Sequence, residues 1–207
     1  MKELSLFFKK NQLEAGCDEA GRGCLAGPVV AAAVILDPKN PILGLNDSKK
    51  LSKNQRIALK EEILKKALSF GIGMVDEVTI DEINILNASI LAMHKAISLL
   101  EIMPKYLIID GNRFHSYKNI PHTTIIKGDE KFQSIAAASI LAKTFRDDFM
   151  EKLHEENPVY NWKENKGYPT LDHRKAILEF GVSNYHRKSF RMLHQNGLKS
   201  GVQLFPF

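Results

Sequence analysis

Residues 29–36, VVAAAVIL, form an unbroken apolar stretch directly after a glycine-rich segment, GRGCLAGP. A strand without alternating polar positions is buried on both faces, so the sheet that contains it must be covered on each side. The stretch is far shorter than the roughly 20 residues needed to cross a bilayer, so it does not indicate a membrane span. The chain is therefore expected to build a sheet that lies between helices.

The remaining pattern predicts an α/β fold in one domain spanning residues 1–207. Strands are expected at residues 15–23, 28–36, 69–75, 106–110 and 123–127. Helices are expected at residues 52–68, 79–100 and 132–155, followed by one from Thr170 to Gly181. Ser52 with Gln55 and Thr79 with Glu82 carry the capping-box signature for the first two helices. This order of strands and helices favours a mixed sheet flanked by helices.

Charge and composition narrow the setting. From Phe180 to Phe207 there is no Asp or Glu, whereas four basic residues occur there. We therefore predict a basic helical C-terminal extension at about residues 170–200, followed by a short apolar tail at 201–207. A basic end suits a polyanionic partner, although a solvated tail explains the charge equally well. The N-terminus has no secretion-signal pattern, so a cytoplasmic location is expected. The apolar stretches are too short for a membrane span, and nothing in the sequence indicates an obligate oligomer, so a monomer without membrane association is expected.

Four acidic residues stand at or beside predicted strand ends. Asp18 and Glu19 lie on the first strand, Asp110 ends YLIID, and Asp129 follows TTIIK and a glycine. Mg²⁺ and Mn²⁺ prefer oxygen ligands. Two such ions about 4 Å apart can bind the attacking and the leaving oxygen when a phosphodiester is cleaved. The four acids thus predict a two-metal site. Neighbouring residues on a regular strand face opposite ways, so the strand must depart from regular geometry if Asp18 and Glu19 are to share that site. The alternative is that each acid caps its own strand or turn.

The segment containing Gly21, Gly23 and Gly27 also permits a different interpretation. Its GxGxxxG spacing is similar to a dinucleotide-binding fingerprint, which requires a helix to begin at the last glycine. Here Pro28 and a strand follow, and two carboxylates precede the turn. A nucleotide-cofactor site is therefore the weaker alternative. A metal ion between carboxylates and phosphate would instead turn their repulsion into attraction.

Several ordered motifs make a family resemblance visible. They are CDEAGRGCLAGPVVAAAVIL, LNDSKKLS, LIIDGN, KGD, AAASILAKTFRD, NKGYPTLDH and HRKSF. Together, from about Glu14 to about Arg191, they closely resemble bacterial ribonuclease HII. The resemblance implies a ribonuclease H-like fold and metal-dependent cleavage of the RNA strand of RNA/DNA hybrids. It also implies nicking 5′ of single ribonucleotides in duplex DNA, giving 3′-hydroxyl and 5′-phosphate ends, with roles in ribonucleotide repair and primer removal.

The same resemblance assigns residues. The metal-binding and catalytic acids fall on Asp18, Glu19, Asp110 and Asp129, which would hold two Mn²⁺ or Mg²⁺ ions. Tyr168 resembles the tyrosine that senses the ribose 2′-hydroxyl, although a purely structural tyrosine in a Gly-Pro loop is an equal alternative. The remaining expected substrate contacts are the turn residues Gly21, Arg22 and Gly23, and the candidate phosphate contacts Lys49, Lys50, Lys143, Arg146, Arg187 and Ser189.

Other features are assigned by position alone. Cys17 and Cys24, which depart from the usual family residues, are expected to be reduced thiols, and Cys17 is expected to point into the core. His173 and His186 have no partner at metal-like spacing and are interpreted as structural.

The final QLFPF resembles peptides that dock on the bacterial sliding clamp, which makes the clamp a candidate partner. An apolar tail folded onto the body is the alternative. A non-catalytic nucleic-acid-binding module of the same fold would be expected to lack one of the four acids.

Overall fold

The computed structural model describes residues 4–10 and 12–192. Its five strands form one sheet in the order β3-β2-β1-β4-β5. The strands are β1 (Glu14–Ala20), β2 (Val29–Ile35), β3 (Ser69–Val75), β4 (Tyr106–Asp110) and β5 (His122–Ile125). β1, β2 and β3 pair antiparallel, whereas β4 runs parallel to both β1 and β5. The predicted mixed sheet is therefore confirmed.

Helices cover both faces of this sheet. They are α1 (Lys53–Lys66), α2 (Glu77–Ser98), α3 (Gln133–Glu156), α4 (Trp162–Asn165) and α5 (Leu171–Phe180). α2 packs on β2 and β3, whereas α3 packs on β1 and β2 and carries α1 against its side. Every residue of β2 is buried, with alternate side chains in the α2 core and the α3 core. The two-sided burial predicted from VVAAAVIL is confirmed.

The helix ends follow local capping chemistry. At α1, Ser52 Oγ accepts from the amide of Gln55 at 3.3 Å and Gln55 Oε1 accepts from the amide of Ser52 at 2.9 Å, which confirms the predicted capping box. The prediction that Thr79 caps α2 is wrong. Asp76 takes that role because its carboxylate accepts the amide of Thr79 at 2.8 Å, so the helix begins earlier. Asn84 then kinks α2 and accepts the first amides beyond the kink.

The C-terminal region is helical only at its start within the described residues. α5 is capped by Thr170 and ends before Gly181, whose φ of +79° favours glycine. Residues 181–192 form turns and irregular chain. The rest of the predicted basic extension and the QLFPF tail lie outside the described residues. Within residues 4–10 and 12–192, no helix combines the length and apolar character needed to cross a membrane.

A buried histidine pair joins α5 to the chain that follows it. His173 Nδ1 lies 2.9 Å from the carbonyl of Tyr168, and its Nε2 accepts from Trp162 Nε1 at 3.0 Å. His186 Nδ1 accepts the amide of Ser183 at 2.9 Å, which leaves its Nε2 to donate to His173 Nε2 at 3.2 Å. This chain of donors requires both rings to be neutral. The structural interpretation of His173 and His186 is confirmed.

We expect His186 to stay neutral far below ordinary histidine pH. Burial, and then repulsion from His173, lower its pKa to about 4. Because the unfolded-state pKa is higher, at about 6.5, the stabilisation from this group is complete above pH 6.5 and is lost as pH falls towards 4. An NMR titration of the ring protons should give a midpoint near pH 4. A midpoint near 6.5 would contradict the buried neutral pair.

Candidate active site

The parallel pairing of β1 with β4 brings two carboxylates together. Cys17 lies opposite Ile109, so the next residues along the two strands are Asp18 and Asp110. Cys17 points into the core on the α2 side, as predicted, which turns Asp18 towards α3. Two acids separated by about ninety residues in sequence thus meet at one edge of the sheet.

Asp18 is held rigidly in a buried position. It is 6% exposed, and its Oδ1 accepts the amide of Glu19 at 2.7 Å. Ser139 of α3 also hydrogen-bonds its carboxylate, and Ser139 Oγ lies 3.0 Å from Ser48 Oγ. Burial, followed by repulsion from Glu19 and Asp110, raises the pKa of Asp18 well above its ordinary value. The carboxylate is therefore oriented by hydrogen bonds and is repelled by its acidic neighbours.

Glu19 shares this cavity with Asp18 despite being its neighbour on the strand. The two side chains line one cavity at the end of β1, which resolves the conflict with strand alternation. Glu19 Oε1 pairs with Arg22 Nη1 at 3.1 Å, whereas its buried Oε2 has no hydrogen-bond partner. Burial is the main cause that raises the Glu19 pKa, and repulsion from Asp110 adds to it, whereas Arg22 opposes them. An unpaired buried carboxylate oxygen is costly unless a further partner, such as a cation, satisfies it.

Asp129 lies on a short 3₁₀ turn that Asp110 anchors. Asp110 Oδ1 accepts the amide of Gly128 at 2.7 Å, which places the next residue, Asp129, beside the β4 end. Burial raises the pKa of Asp129 to about 6, with repulsion from Asp110 and then Asp47 as further causes. Asp47 is itself buried and caps the turn before α1 by accepting the amide of Lys49. Each of the four predicted acids thus interacts electrostatically with at least one of the other three.

These four acids fit a divalent cation site chemically. No group of three or more His, Cys, Asp or Glu side chains in residues 4–10 and 12–192 is already spaced to hold a metal ion. The acids instead repel one another, and Glu19 Oε2 is buried without a partner. Hard oxygen donors with uncompensated negative charge are what Mg²⁺ and Mn²⁺ bind. A cation would relieve both the repulsion and the unpaired oxygen.

A cavity of about 240 Å³ lies next to the acids and is bordered by positive charge. Lys49 comes from the loop before α1 and Lys143 from α3, where it pairs with Asp147 at 2.6 Å. The predicted residues on its wall are Asp18, Glu19, Gly21, Arg22, Gly23, Lys49, Asp110, Lys143 and Tyr168. Acidic ligands at one end and basic side chains around them suit a phosphodiester that approaches bound cations.

The two glycines of the GRG turn differ in their surroundings. Gly21 has a φ of +96°, and a Cβ there would lie 2.0 Å from Arg146 Nε, so the fold itself requires this glycine. A Cβ on Gly23 would meet no atom within 4 Å. Gly23 also lines the cavity. The protein's own packing therefore gives no reason for the missing side chain at Gly23.

Arg146 and Arg187 do not have the predicted role of phosphate contacts. Arg146 is 1% exposed and donates to the carbonyls of Ala26, Pro28 and Lys166 at 2.8–3.1 Å. Arg187 is fully buried and donates to the carbonyls of Gly27 and Arg22 at 2.9 and 3.0 Å. These guanidinium groups satisfy backbone carbonyls that the irregular chain after β1 leaves unpaired. They support the GRG turn from beneath instead of contacting substrate.

Tyr168 lies on the cavity wall, held by its backbone. Its amide donates to the carbonyl of Asn165 at 2.8 Å, and its carbonyl accepts a hydrogen bond from Nδ1 of His173. Its ring is 39% exposed, with Lys143 Nζ 5.8 Å from the centroid. Cys24 hydrogen-bonds its hydroxyl. Tyr168 is therefore fixed by the protein yet open to a molecule in the cavity.

The other predicted contacts are already engaged. Ser189 donates through its amide to Asp81 at 3.0 Å, and its hydroxyl bonds the same carboxylate, so it fastens the final loop to α2. Lys50 pairs with Glu130 at 3.0 Å, beside the Asp129 turn. Neither residue lines the cavity.

Three polar residues around the acids were not predicted: Asp47, Ser48 and Ser139. Ser139 has a detectable sequence signal, because it lies in the apolar run IAAASILA, one helical turn before Lys143. Ser48 and Asp47 lie in a loop whose position depends on α3, so their contacts could not be read locally. Both cysteines are buried free thiols, as expected, and burial raises the pKa of each.

Comparisons with known proteins show the family and the fold. A model of the family described as ribonuclease HII matches residues 15–196. Ribonuclease HII of Bacteroides thetaiotaomicron is 61% identical over 189 residues, covering 90% of this chain and 94% of that protein. The ribonuclease HII solved with PCNA from Archaeoglobus fulgidus has a TM-score of 0.74 and 28% identity, covering 88% of this chain and 96% of that chain.

A more distant structure, Bst-RNase HIII in complex with Mn²⁺, shares the fold. Its TM-score is 0.68 at 18% identity, and the match covers 86% of this chain and 67% of that chain. The predicted ribonuclease H-like fold is thus confirmed, and the coverage by the family model is nearly complete. The chain belongs to the ribonuclease HII family of metal-dependent type 2 ribonucleases H.

Proposed function

We propose that this protein cleaves the RNA strand of RNA/DNA hybrids and nicks duplex DNA on the 5′ side of a single embedded ribonucleotide. The products would be a 3′-hydroxyl and a 5′-phosphate. The activity would serve the removal of misincorporated ribonucleotides and of RNA primers. Family membership supports activity on RNA/DNA hybrids. The observation that carries the finer proposal is the cavity, which has repelling carboxylates at one end and Gly23 and Tyr168 on its walls.

The acids and the basic residues of the cavity wall would have separate tasks; Asp129 is not on the wall itself but lies beside the end of β4. Asp18, Glu19, Asp110 and Asp129 would hold two divalent ions, Mn²⁺ or Mg²⁺. The structure of Bst-RNase HIII in complex with Mn²⁺, a protein of the same fold, supports the choice of Mn²⁺ by analogy. Such ions, when bound, supply an activated water and stabilise the departing 3′ oxygen. Lys49 and Lys143 would hold neighbouring phosphates.

The described residues around the cavity offer no imidazole for proton transfer. No histidine is among the described residues that line it, and His173 and His186 are buried and neutral. The proton from the attacking water would therefore pass to solvent or to the substrate phosphate. The 2′-hydroxyl would serve recognition only, through the backbone at Gly23 and the Tyr168 side chain.

The Gly23→Ala variant should separate recognition from folding. The added methyl meets no protein atom, so the free energy of unfolding should change by less than about 1 kcal/mol. If the ribose approaches this backbone, the methyl would block it, and kcat/KM on a single-ribonucleotide duplex should fall at least about 100-fold, which is roughly 3 kcal/mol. Steady-state cleavage and thermal unfolding would be measured together. Unchanged cleavage would remove Gly23 from the substrate contact.

The proposed activity is tested with an end-labelled duplex DNA that contains one ribonucleotide. Cleavage would be measured with Mg²⁺, Mn²⁺ or EDTA, beside an all-DNA duplex and a long RNA/DNA hybrid. We expect a metal-dependent nick 5′ of the ribonucleotide and none in all-DNA. Cleavage of the long hybrid alone would keep the nuclease but contradict the recognition of single ribonucleotides. No cleavage of either would favour a binding module.

We also propose that the C-terminal QLFPF docks on the bacterial sliding clamp. The Archaeoglobus fulgidus relative solved with PCNA supports the proposal by analogy, because that structure pairs a ribonuclease HII with a clamp. A QLFPF peptide should bind clamp in a fluorescence polarisation titration, whereas the same peptide with Leu204 and Phe205 replaced by Ala should not. Equal signals from both peptides would argue against the contact.

A further inference from the structure

The segment before β1 binds the chain next to Asp129, although the family match begins only at residue 15. The amide of Ser5 donates to the carbonyl of Lys131 at 2.8 Å. The carbonyl of Ser5 accepts from the amide of Gln133 at 3.0 Å. These two bonds form a parallel bridge on either side of the intervening residue. The N-terminal segment therefore attaches to the backbone just after the Asp129 turn.

The segment is itself anchored to the sheet. Phe8 stacks on Tyr106 of β4 with ring centroids 6.1 Å apart, and meets Phe132 edge-on at 5.6 Å. The buried carboxylate of Glu14 accepts the amides of Phe8 and Lys9 at 3.2 and 3.0 Å. The ring contacts of Phe8 and the two hydrogen bonds to the Glu14 carboxylate oppose fraying. The bridge at Ser5 is thus linked to β1 and β4, the strands that carry Asp18 and Asp110.

The turn with Asp129 is consequently held at both ends. At its start, the amide of Gly128 donates to Asp110 Oδ1 at 2.7 Å. Within it, the amides of Lys131 and Phe132 return to the carbonyl of Gly128 at 2.9 and 2.8 Å. At its end, the Ser5 bridge fixes the residues where α3 begins. Asp129 lies between these attachments, so its backbone position depends on both.

We propose that the backbone of Ser5 positions Asp129 for metal binding, which makes Ser5 a positioning residue outside the family-matched region. The inference rests on the proposed assignment of Asp129 to the metal site. A carboxylate ligand must be held within about 0.5 Å of its working geometry, and the attachments around it supply that precision. Releasing one end of the turn should loosen Asp129 without touching the substrate cavity.

The Ser5→Pro variant tests this directly, because proline lacks the amide that donates to Lys131. Ser5→Ala is the matched control, since it keeps the amide and removes only an exposed hydroxyl. Mn²⁺ binding to the whole protein without substrate would be measured by isothermal titration calorimetry, together with kcat and KM. We expect Ser5→Pro to weaken Mn²⁺ binding three- to tenfold and to lower kcat at limiting Mn²⁺. KM for the duplex should stay within twofold, and Ser5→Ala should match the wild type.

A second variant distinguishes the proposed positioning effect from a general folding defect. Gln133→Leu removes only the side-chain bond to the carbonyl of Leu4, measured at 3.1 Å, and leaves the Ser5 amide in place. It should weaken Mn²⁺ binding in the same direction by about twofold, with circular dichroism unchanged. Loss of stability with unchanged Mn²⁺ affinity in both variants would overturn the inference.

An Asp129→Asn variant in the same titration distinguishes the two proposals. If Asp129→Asn weakens Mn²⁺ binding and Ser5→Pro does not, the metal site stands and the positioning role of Ser5 fails. If Asp129→Asn itself binds Mn²⁺ normally, the assignment of Asp129 fails and the Ser5 inference fails with it. Weakening by both variants supports both proposals.

Discussion

Replacing Asp110 with Asn is expected to reduce cleavage about a thousandfold or more, which corresponds to about 4 kcal/mol of lost transition-state stabilisation. Asn keeps the oxygen that accepts the amide of Gly128, so the Asp129 turn should remain in place. The negative charge is lost, and the other carboxylate oxygen becomes an NH₂ group that cannot bind a cation. Substrate binding should persist, because the GRG turn, Lys49 and Lys143 are untouched.

The same substitution should leave the metal-free protein as stable as the wild type or more so. Asp110 is one of the charges that raise the pKa values of Asp18, Glu19 and Asp129. Removing it relieves repulsion, so unfolding in EDTA at neutral pH should require more free energy, on the order of 1 kcal/mol. Loss of activity with gained stability is typical of a residue kept for charge and not for folding.

The control for this variant is Asp172→Asn on α5, which removes the same charge from a side chain that is 80% exposed. Its activity and its stability should both match the wild type. The measurements are chemical denaturation in EDTA, duplex binding by electrophoretic mobility shift in Ca²⁺, and cleavage in Mn²⁺. Near-normal cleavage by Asp110→Asn would remove Asp110 from the metal site, and reduced stability would show that repulsion is not the dominant effect there.

Much of the acidic site could be predicted because its signals are local. YLIID ends in an acid before a glycine, and a strand end is where a side chain leaves the sheet. The convergence of Asp18 and Asp110, however, depends on the parallel register of β1 with β4, which no local pattern specifies. Likewise, Asp18 and Glu19 line one cavity next to the end of β1, which the alternation of side chains along a regular strand does not predict.

The errors have a common physical cause. Both Asp76 and Thr79 can cap a helix, and the sequence alone does not decide between two capping residues three positions apart. The family resemblance places Arg146 and Arg187 among the phosphate contacts, but the structure buries both side chains, although basic residues are usually exposed. Their burial depends on which backbone carbonyls the irregular chain leaves unpaired. Those carbonyls are brought together only by the packing of the GRG turn against the Tyr168 loop. Buried polar contacts of this kind are tertiary properties.

Replacing Arg146 with Lys is expected to lower the free energy of unfolding by about 2–4 kcal/mol, because buried carbonyls would lose their partners. The guanidinium reaches the carbonyls of Ala26, Pro28 and Lys166 with three nitrogens in one plane. A lysine ammonium keeps the charge but cannot reproduce this planar arrangement. Urea denaturation of the variant measures the loss. If Arg146 contacted phosphate instead, Lys would preserve most of the binding and stability would hardly change.

The matched comparison is Lys143→Gln, three residues earlier on α3 but facing the cavity. Its pairing with Asp147 is partly exposed, so its loss should cost less than about 1 kcal/mol of stability. A phosphate contact at Lys143 should instead appear as weaker duplex binding, with the slope of log affinity against log salt reduced by about one. Arg146→Lys should leave that slope unchanged once the folded fraction is accounted for. The two variants thus separate a basic residue that supports the GRG turn from one that meets the nucleic acid, and a reduced salt slope for Arg146→Lys would reverse the assignment.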